Sequence, residues 1–217
     1  LIAAEKAQLE KELAEKEAKE KERQLAEEKR KNLIELEKKK HEEYLAEINV
    51  VDYKGKDISS ENKFKEQEEL FIKEIEKYVV NKNWDLVIET CNAAIEQIPN
   101  FYWAYYRLST AEGNRGNFEN VIKYCSKSIE LNSDFAESFY NRATANFFKK
   151  NYQDAISDYE KSIELESSNI AEAYFNKGLC FQKLDLNKKA YREFLKAKDF
   201  GSKKAEELII LQYMNKQ

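Results

Sequence analysis

Histidine, cysteine and clustered carboxylates carry most catalytic and metal chemistry, and this chain places them badly for either. His41 is its one histidine, set between Lys40 and Glu42. A solvated imidazole with no nucleophile or ligand beside it has no general-base or metal role to play. The three cysteines, Cys91, Cys125 and Cys180, lie far apart in sequence and lack metal-ligand spacing. An odd number of such residues reads as buried, reduced thiols in a reducing, cytoplasmic setting. The alternative is a disulfide between Cys91 and Cys125. The 41 acidic residues are interspersed with 37 Lys and Arg, the pattern of solvated helix faces. No Gly-rich phosphate loop is present, and no Ser or Cys has a histidine base. The expectation is a protein without catalytic residues, metal or cofactor, and not an enzyme.

What remains is non-covalent recognition, and the aromatic residues are its natural carriers. The 217 residues include 13 Tyr, 12 Phe and 2 Trp, with none before Tyr44. The elements that hold them must be helical, because the chain has five Gly and one Pro, the two residues that break helices. Between Asn117 and Leu165 a pattern appears twice. Phe118, Val121, Ile122, Cys125, Ile129, Glu130 and Leu131 are followed, 34 residues on, by Tyr152, Ala155, Ile156, Tyr159, Ile163, Glu164 and Leu165. Spacings of three and four within each copy mark one buried stripe per helix. Repetition at that period marks a helix-turn-helix solenoid. An earlier copy supplies Trp84, Val87, Ile88, Cys91, Ala94 and Ile95. The helix before each stripe carries Phe71, Tyr105 and Phe139 at one level and Ile75, Ser109 and Ala143 at the next, so that large residues face small ones.

These positions resemble the tetratricopeptide repeat family over about residues 67–204, as four units at 68–101, 102–135, 136–169 and 171–204. The fourth starts one residue late, with Tyr174, Gly178, Ala190, Phe194 and Ala197 as landmarks. Of the terminal prolines of the family only Pro99 is kept; Ser133, Ser167 and Ser202 replace the others. Lys82 and Lys150 stand where the family commonly has Gly, as Gly116 does. The resemblance implies an all-α solenoid whose first helices (A) line a concave groove for a peptide or helix of a partner protein. Carried over position by position, that groove holds Ile72, Tyr106, Tyr140 and Phe175 at one level. Lys73, Arg107, Asn141 and Asn176 stand beside them, flanked by Trp103, Phe147 and Phe148. Tyr105, Phe139 and Tyr174 are expected in the core.

Some members of the family bind acidic chaperone tails through Lys, Asn and Arg. The corresponding positions here are Ile72, Glu76, Arg107, Glu137 and Asn141, or, one unit on, Tyr106, Thr110, Asn141, Glu172 and Asn176. Glutamate in place of a clamp lysine would repel a carboxylate, which argues against such tails. The expected function is a protein-interaction adaptor. The alternative is a structural subunit of a large assembly.

The flanks differ in character. Residues 1–47 read as a charged helical rod of Glu, Lys, Ala, Leu, Arg and Gln, with opposite charges four apart, such as Glu12 with Lys16 and Glu35 with Lys39. Leu9, Leu13, Leu25, Leu33, Ile34 and Leu36 keep no heptad seam, so it is either a solvated single helix or a weak, partner-dependent coiled coil that could bridge to a neighbour. Residues 48–66 form a linker or a short arm, with strand-like Val50, Val51 and Tyr53. Residues 205–217 read as a capping helix whose Leu208 and Ile209 pack on the fourth unit. A pI near 5.5 gives no footprint for nucleic acid, and no apolar run reaches the ~20 residues that insert in a membrane. The chain starts at Leu1, which leaves open a signal or anchor upstream.

Overall fold

The computed structural model describes residues 60–214, with side chains over 65–211, and isolated positions of the N-terminal segment. The chain parts into two units, Leu1–Lys56 and Asp57–Gln217. In the first, the described residues 20, 21, 24, 28, 35, 36, 39 and 40 are helical and exposed. The coiled-coil question, His41, and the strand-like Val50, Val51 and Tyr53 lie outside the described residues.

In the second unit the bounded elements are all α-helices: α1 (Ser60–Val80), α2 (Trp84–Gln97), α3 (Tyr102–Asn114), α4 (Phe118–Leu131), α5 (Ala136–Phe148), α6 (Tyr152–Glu164), α7 (Ile170–Lys183), α8 (Asn187–Asp199) and α9 (Lys203–Met214). Helix α1 takes in residues 60–66, which the sequence reading assigned to the junction. Ser60, with a run of good helix formers after it, starts the helix earlier than the repeat pattern alone implies.

Each helix packs on the next, and the buried stripes have the expected spacing. Val121, Cys125 and Ser128 are buried on α4, and Ala155, Ile156, Tyr159 and Ser162 on α6. Phe71, Ile75, Tyr78, Leu86, Val87, Cys91 and Ala94 close the first pair. Ala190, Phe194, Ala197 and Ala205 form the last cluster, against which Leu208 and Ile209 of α9 pack. Helix α9 thereby covers an apolar end that a solenoid would otherwise expose. All three cysteines are buried free thiols, so the Cys91–Cys125 disulfide is not formed.

The turns between paired helices share one geometry. Lys82, Gly116, Lys150 and Asp185 all have positive φ, at 54°, 76°, 66° and 59°. After each, the next backbone N–H reaches back five residues: Asn83 to Tyr78, Asn117 to Glu112, Asn151 to Asn146 and Leu186 to Phe181. This is the left-handed helix ending in which the last carbonyls are satisfied by the turn itself. It explains why the family favours Gly at this place and shows that Lys adopts the same conformation twice.

Successive units meet mainly where the second helix of one packs on the first helix of the next, and the first helices touch as well. Helix α3 contacts α5, and α5 contacts α7; the second helices α2, α4, α6 and α8 make no comparable contacts with one another. The A helices are therefore on the inside of the curve.

Candidate functional site

The inner face is built from α1, α3, α5 and α7. Tyr106, Tyr140 and Phe175 are all half-buried on it, each with one side in the packing. The Tyr106 ring meets Phe135 edge-on at 5.1 Å. Tyr140 meets Tyr159 at 5.8 Å, and Phe175 meets Phe194 at 5.6 Å. Burial pushes the Tyr106 and Tyr140 phenols above the ordinary range; Glu137 adds to this at Tyr106 and Glu172 at Tyr140. Ile72 is half-buried and Lys73 exposed on α1. Of the residues expected in the core, Phe139 is buried, whereas Tyr105 and Tyr174 are half-buried.

The residues one step further round have a structural task. Asn141 Nδ2 donates to the Ser109 and Thr110 hydroxyls of α3, at 3.3 and 3.4 Å. Asn176 Nδ2 donates to the Tyr140 hydroxyl of α5, at 3.4 Å. Arg107 pairs with Glu76 of α1, and its guanidinium carbon lies 4.9 Å from the ring centres of both Trp103 and Tyr106. From the second unit on, this side chain reaches back to the preceding A helix.

Phe147 and Phe148 meet edge-on at 5.8 Å but face different neighbours. Phe147 is half-buried and meets Tyr152 edge-on at 5.7 Å, within its own unit. Phe148 is 57% exposed and stacks on Phe118 of the preceding unit at 4.7 Å. That pair forms one wall of a cleft between α3 and α5 of about 220 Å³. Its other walls are Tyr140, Asn141, Thr144 and Ala145 of α5, Ser109, Thr110, Gly113 and Asn114 of α3, and Val121 of α4. Gly113 opens the floor, since a Cβ there would point at Val121 Cγ2, 3.6 Å away.

Thr144 and Gly113 were not picked out from the sequence, and Phe118 and Thr110 were read there as a repeat landmark and a clamp position, not as groove residues. A signal existed for the threonines: each follows a groove tyrosine by four residues, and so shares its face. Apart from the Tyr140 phenol the cleft holds no titratable side chain, and among the described residues no group of three or more His, Cys, Asp or Glu could hold a metal. Among these residues no helix is long and apolar enough to cross a membrane.

Comparison with known proteins agrees with the architecture. Two family models, both described as tetratricopeptide repeat, match residues 104–135 and 136–169. No curated protein matches the chain significantly. Among solved structures, MamA is similar at a TM-score of 0.57 and 24% identity, over 64% of this chain and 81% of MamA. The TPR2B domain of yeast Sti1, in its pHsp70 complex, gives 0.51 and 20%, over 54% of this chain and 98% of the domain. The first TPR of Spaghetti (RPAP3), bound to the HSP90 peptide SRMEEVD, gives 0.52 and 21%, over 55% and 94%. At these identities the structural likeness speaks for the fold. With helix pairs repeating at the family's period, and two of those pairs matched by family models, the chain is a tetratricopeptide repeat protein.

Proposed function

We propose that the chain is a protein-interaction adaptor that holds a short segment of a partner against the inner face of its repeats. One large side chain of that segment seats between α3 and α5. The cleft with the exposed Phe148 at its edge is the observation that carries this reading. Its volume, about 220 Å³, lies below the roughly 300–1,000 Å³ typical of pockets for whole small ligands, but accommodates one apolar side chain. The walls fit such an anchor: aromatic rings supply contact area, and the Thr110 and Thr144 hydroxyls fix its surroundings. An exposed aromatic on an inward-curving face is a common mark of an interaction surface.

The RPAP3 repeats hold a peptide ending in acidic residues. The present groove is unsuited to that ligand class. Its positions corresponding to the basic clamp carry Glu76, Glu137 and Glu172, and Arg107 is neutralised by Glu76.

The cleft can be filled without disturbing the core. Gly113→Leu places apolar atoms into the space beside Val121 and replaces a glycine one residue from the end of α3, which favours the helix by less than the about 0.5–1 kcal/mol of a mid-helix site. Peptides selected from a random displayed library against the full chain should lose at least tenfold in affinity for the variant, with the thermal transition unchanged or raised. Selected peptides that bind both forms equally would place the recognition surface elsewhere.

A further inference from the structure

We infer that the outer face of α8 is a second interaction surface, separate from the inner groove, and that it takes an acidic, amphipathic helix of a partner protein.

The repeat shows where the last unit departs from the others. One outward place in the second helices holds Asp85, Glu119 and Gln153, then Lys188. The next holds Glu89, Lys123 and Ser157, then Arg192. A third holds Asn92, Ser126 and Glu160, then Leu195. In the turn before the helix, Asn83, Asn117 and Asn151 give way to Leu186, and Asn81, Arg115 and Lys149 to Leu184. The fourth unit is thus apolar at three places that are polar in every earlier unit. It also sets two cations together on the outward face, which no earlier second helix does.

The structure leaves these side chains at the surface. Lys188, Tyr191, Arg192 and Leu195 are exposed, as are Leu184 and Leu186. Tyr191 stands at the place of Ile88 and Ile122, which are half-buried, and of Ile156, which is buried. Spacings of three and four put Lys188, Tyr191, Arg192 and Leu195 on one side of α8. Ala190, Phe194 and Ala197 lie on the opposite side, in the cluster against which α9 packs. The capping helix therefore does not account for the outward stripe.

The outer ties of the stack stop at this unit as well. Arg115 pairs with Asp85, and Lys149 with Glu119, each reaching from a turn to the second helix of the preceding unit. At the third joint the two places hold Leu184 and Gln153, which cannot form an ion pair.

Charge points to the occupant. Residues 171–204 hold nine Lys and Arg against four Asp and Glu, in a chain of net charge -4. Lys177 pairs with Glu193 and Glu160, Lys196 with Glu193, and Lys198 with Glu206. Lys188 and Arg192 have no ion-pair partner among the described residues. Two such cations beside a Tyr–Leu stripe complement carboxylates set beside apolar side chains. The stripe is one helix wide, and the exposed Asp185 and Asp199 stand at its two ends. Those carboxylates would repel a broad anionic surface such as a bilayer or a nucleic-acid backbone, whereas an amphipathic helix can lie between them.

The test selects, on the full chain, a displayed library of helical peptides with Leu fixed along one face and Glu, Gln or Lys drawn at random beside it. Glu should be enriched, and the selected peptide, made with blocked termini, is titrated by fluorescence anisotropy. The triple change Lys188→Gln, Arg192→Ser and Leu195→Glu reproduces the residues of α6 at the same places, so the fold already carries them. It should weaken binding roughly tenfold or more with the circular dichroism melt unchanged. Lys188→Asp with Arg192→Glu reproduces those of α2 and should turn the selection from Glu to Lys. Gly113→Leu should leave the affinity as it is. A library that enriches nothing or enriches Lys, or a triple variant that binds as tightly as the parent, overturns the inference. Binding lost in Gly113→Leu but kept in the triple variant assigns the peptide to the inner groove and overturns it too. It is likewise overturned if the triple variant turns a dimer into a monomer by light scattering, which gives the face to a second copy. Vesicles of phosphatidylserine and phosphatidylcholine that bind the parent but not the triple variant, with no competition from the peptide, give it to a membrane instead.

Discussion

Replacing Lys150 by glycine should stabilise the protein, although the change removes every side-chain atom. Lys150 has φ of 66° in the turn between α5 and α6. For an L-residue this left-handed conformation costs about 1–2 kcal/mol relative to the right-handed one, whereas glycine adopts it freely. The greater freedom of glycine in the unfolded chain gives back part of the gain, roughly 0.5–1 kcal/mol. The net benefit is about 0.5–1 kcal/mol. The side chain is exposed, and the backbone bonds of the turn, Lys150 N to Phe147 O at 3.0 Å and Asn151 N to Asn146 O at 2.8 Å, need no side chain. Lys82, at φ 54° in the turn between α1 and α2, gives an independent second site, and distant sites add. In a unit of this size each kcal/mol moves the melting temperature by about 2–4 °C, so the double variant should melt roughly 4 °C higher by scanning calorimetry. Lys150→Ala keeps the Cβ and should gain nothing. Gly116→Ala, at φ 76°, should lose what the lysine variants gain. The reasoning is refuted if Lys150→Gly melts at or below the parent temperature while Gly116→Ala is neutral.

Other consequences are open to the same kind of measurement. A Cβ on Gly178 would stand 2.5 and 2.6 Å from Cε1 and Cδ1 of Phe194, so Gly178→Ala should cost about 1–3 kcal/mol by urea unfolding; adding Phe194→Leu should recover part of it. Arg142 donates to both carboxylate oxygens of Asp158 at 2.8 Å and to Ser126 Oγ at 3.0 Å. Arg142→Ala should cost about 3 kcal/mol by leaving a nearly buried carboxylate without its cation, and Asp158→Ala added to it should cost far less than the two single changes summed. Burial pushes the Cys125 and Cys180 thiols up to about 12 from 9.0, and Cys91 higher still. The native state thus keeps protons that the unfolded chain releases above pH 9. Stability is full below that pH and falls as pH rises toward 12, by up to about 1.4 kcal/mol per pH unit for each thiol. Cys125→Ala should flatten the decline measured between pH 9 and 11, and an unchanged slope would refute the assignment.

The period, the helices and the stripes were legible because they depend on spacing within one helix. Gly178 opposite Phe194 follows the rule of large against small. The left-handed turns were legible as a contradiction, with Lys at a family glycine position, and the φ values give that contradiction its physical content. Side chains aimed at a neighbouring helix were harder to read. Arg107, Asn141 and Asn176 lie about 100° round from the groove aromatics Tyr106, Tyr140 and Phe175, and periodicity gives that angle without saying what stands there. What stands there is the preceding A helix. The same gap explains why Tyr105 and Tyr174 are half-buried, no more enclosed than Tyr106 or Tyr140: an A helix has neighbours on several sides, so no single stripe is wholly inside. The cleft was least legible, because it depends on Gly113 lacking a side chain where two units meet.

The backward-reaching residues also set how the repeats bear load. The joint between the second and third units is tied on the inner face by the two long bonds of Asn141, at 3.3 and 3.4 Å, and the next joint by that of Asn176 at 3.4 Å. Bonds of that length sit beyond the usual range and yield easily. Between the first and second units the tie is the Arg107–Glu76 ion pair. On that face the first joint is held by opposite charges and the next two by neutral donors, so added salt should loosen the inner-face tie of the first joint and leave those of the other two as they are.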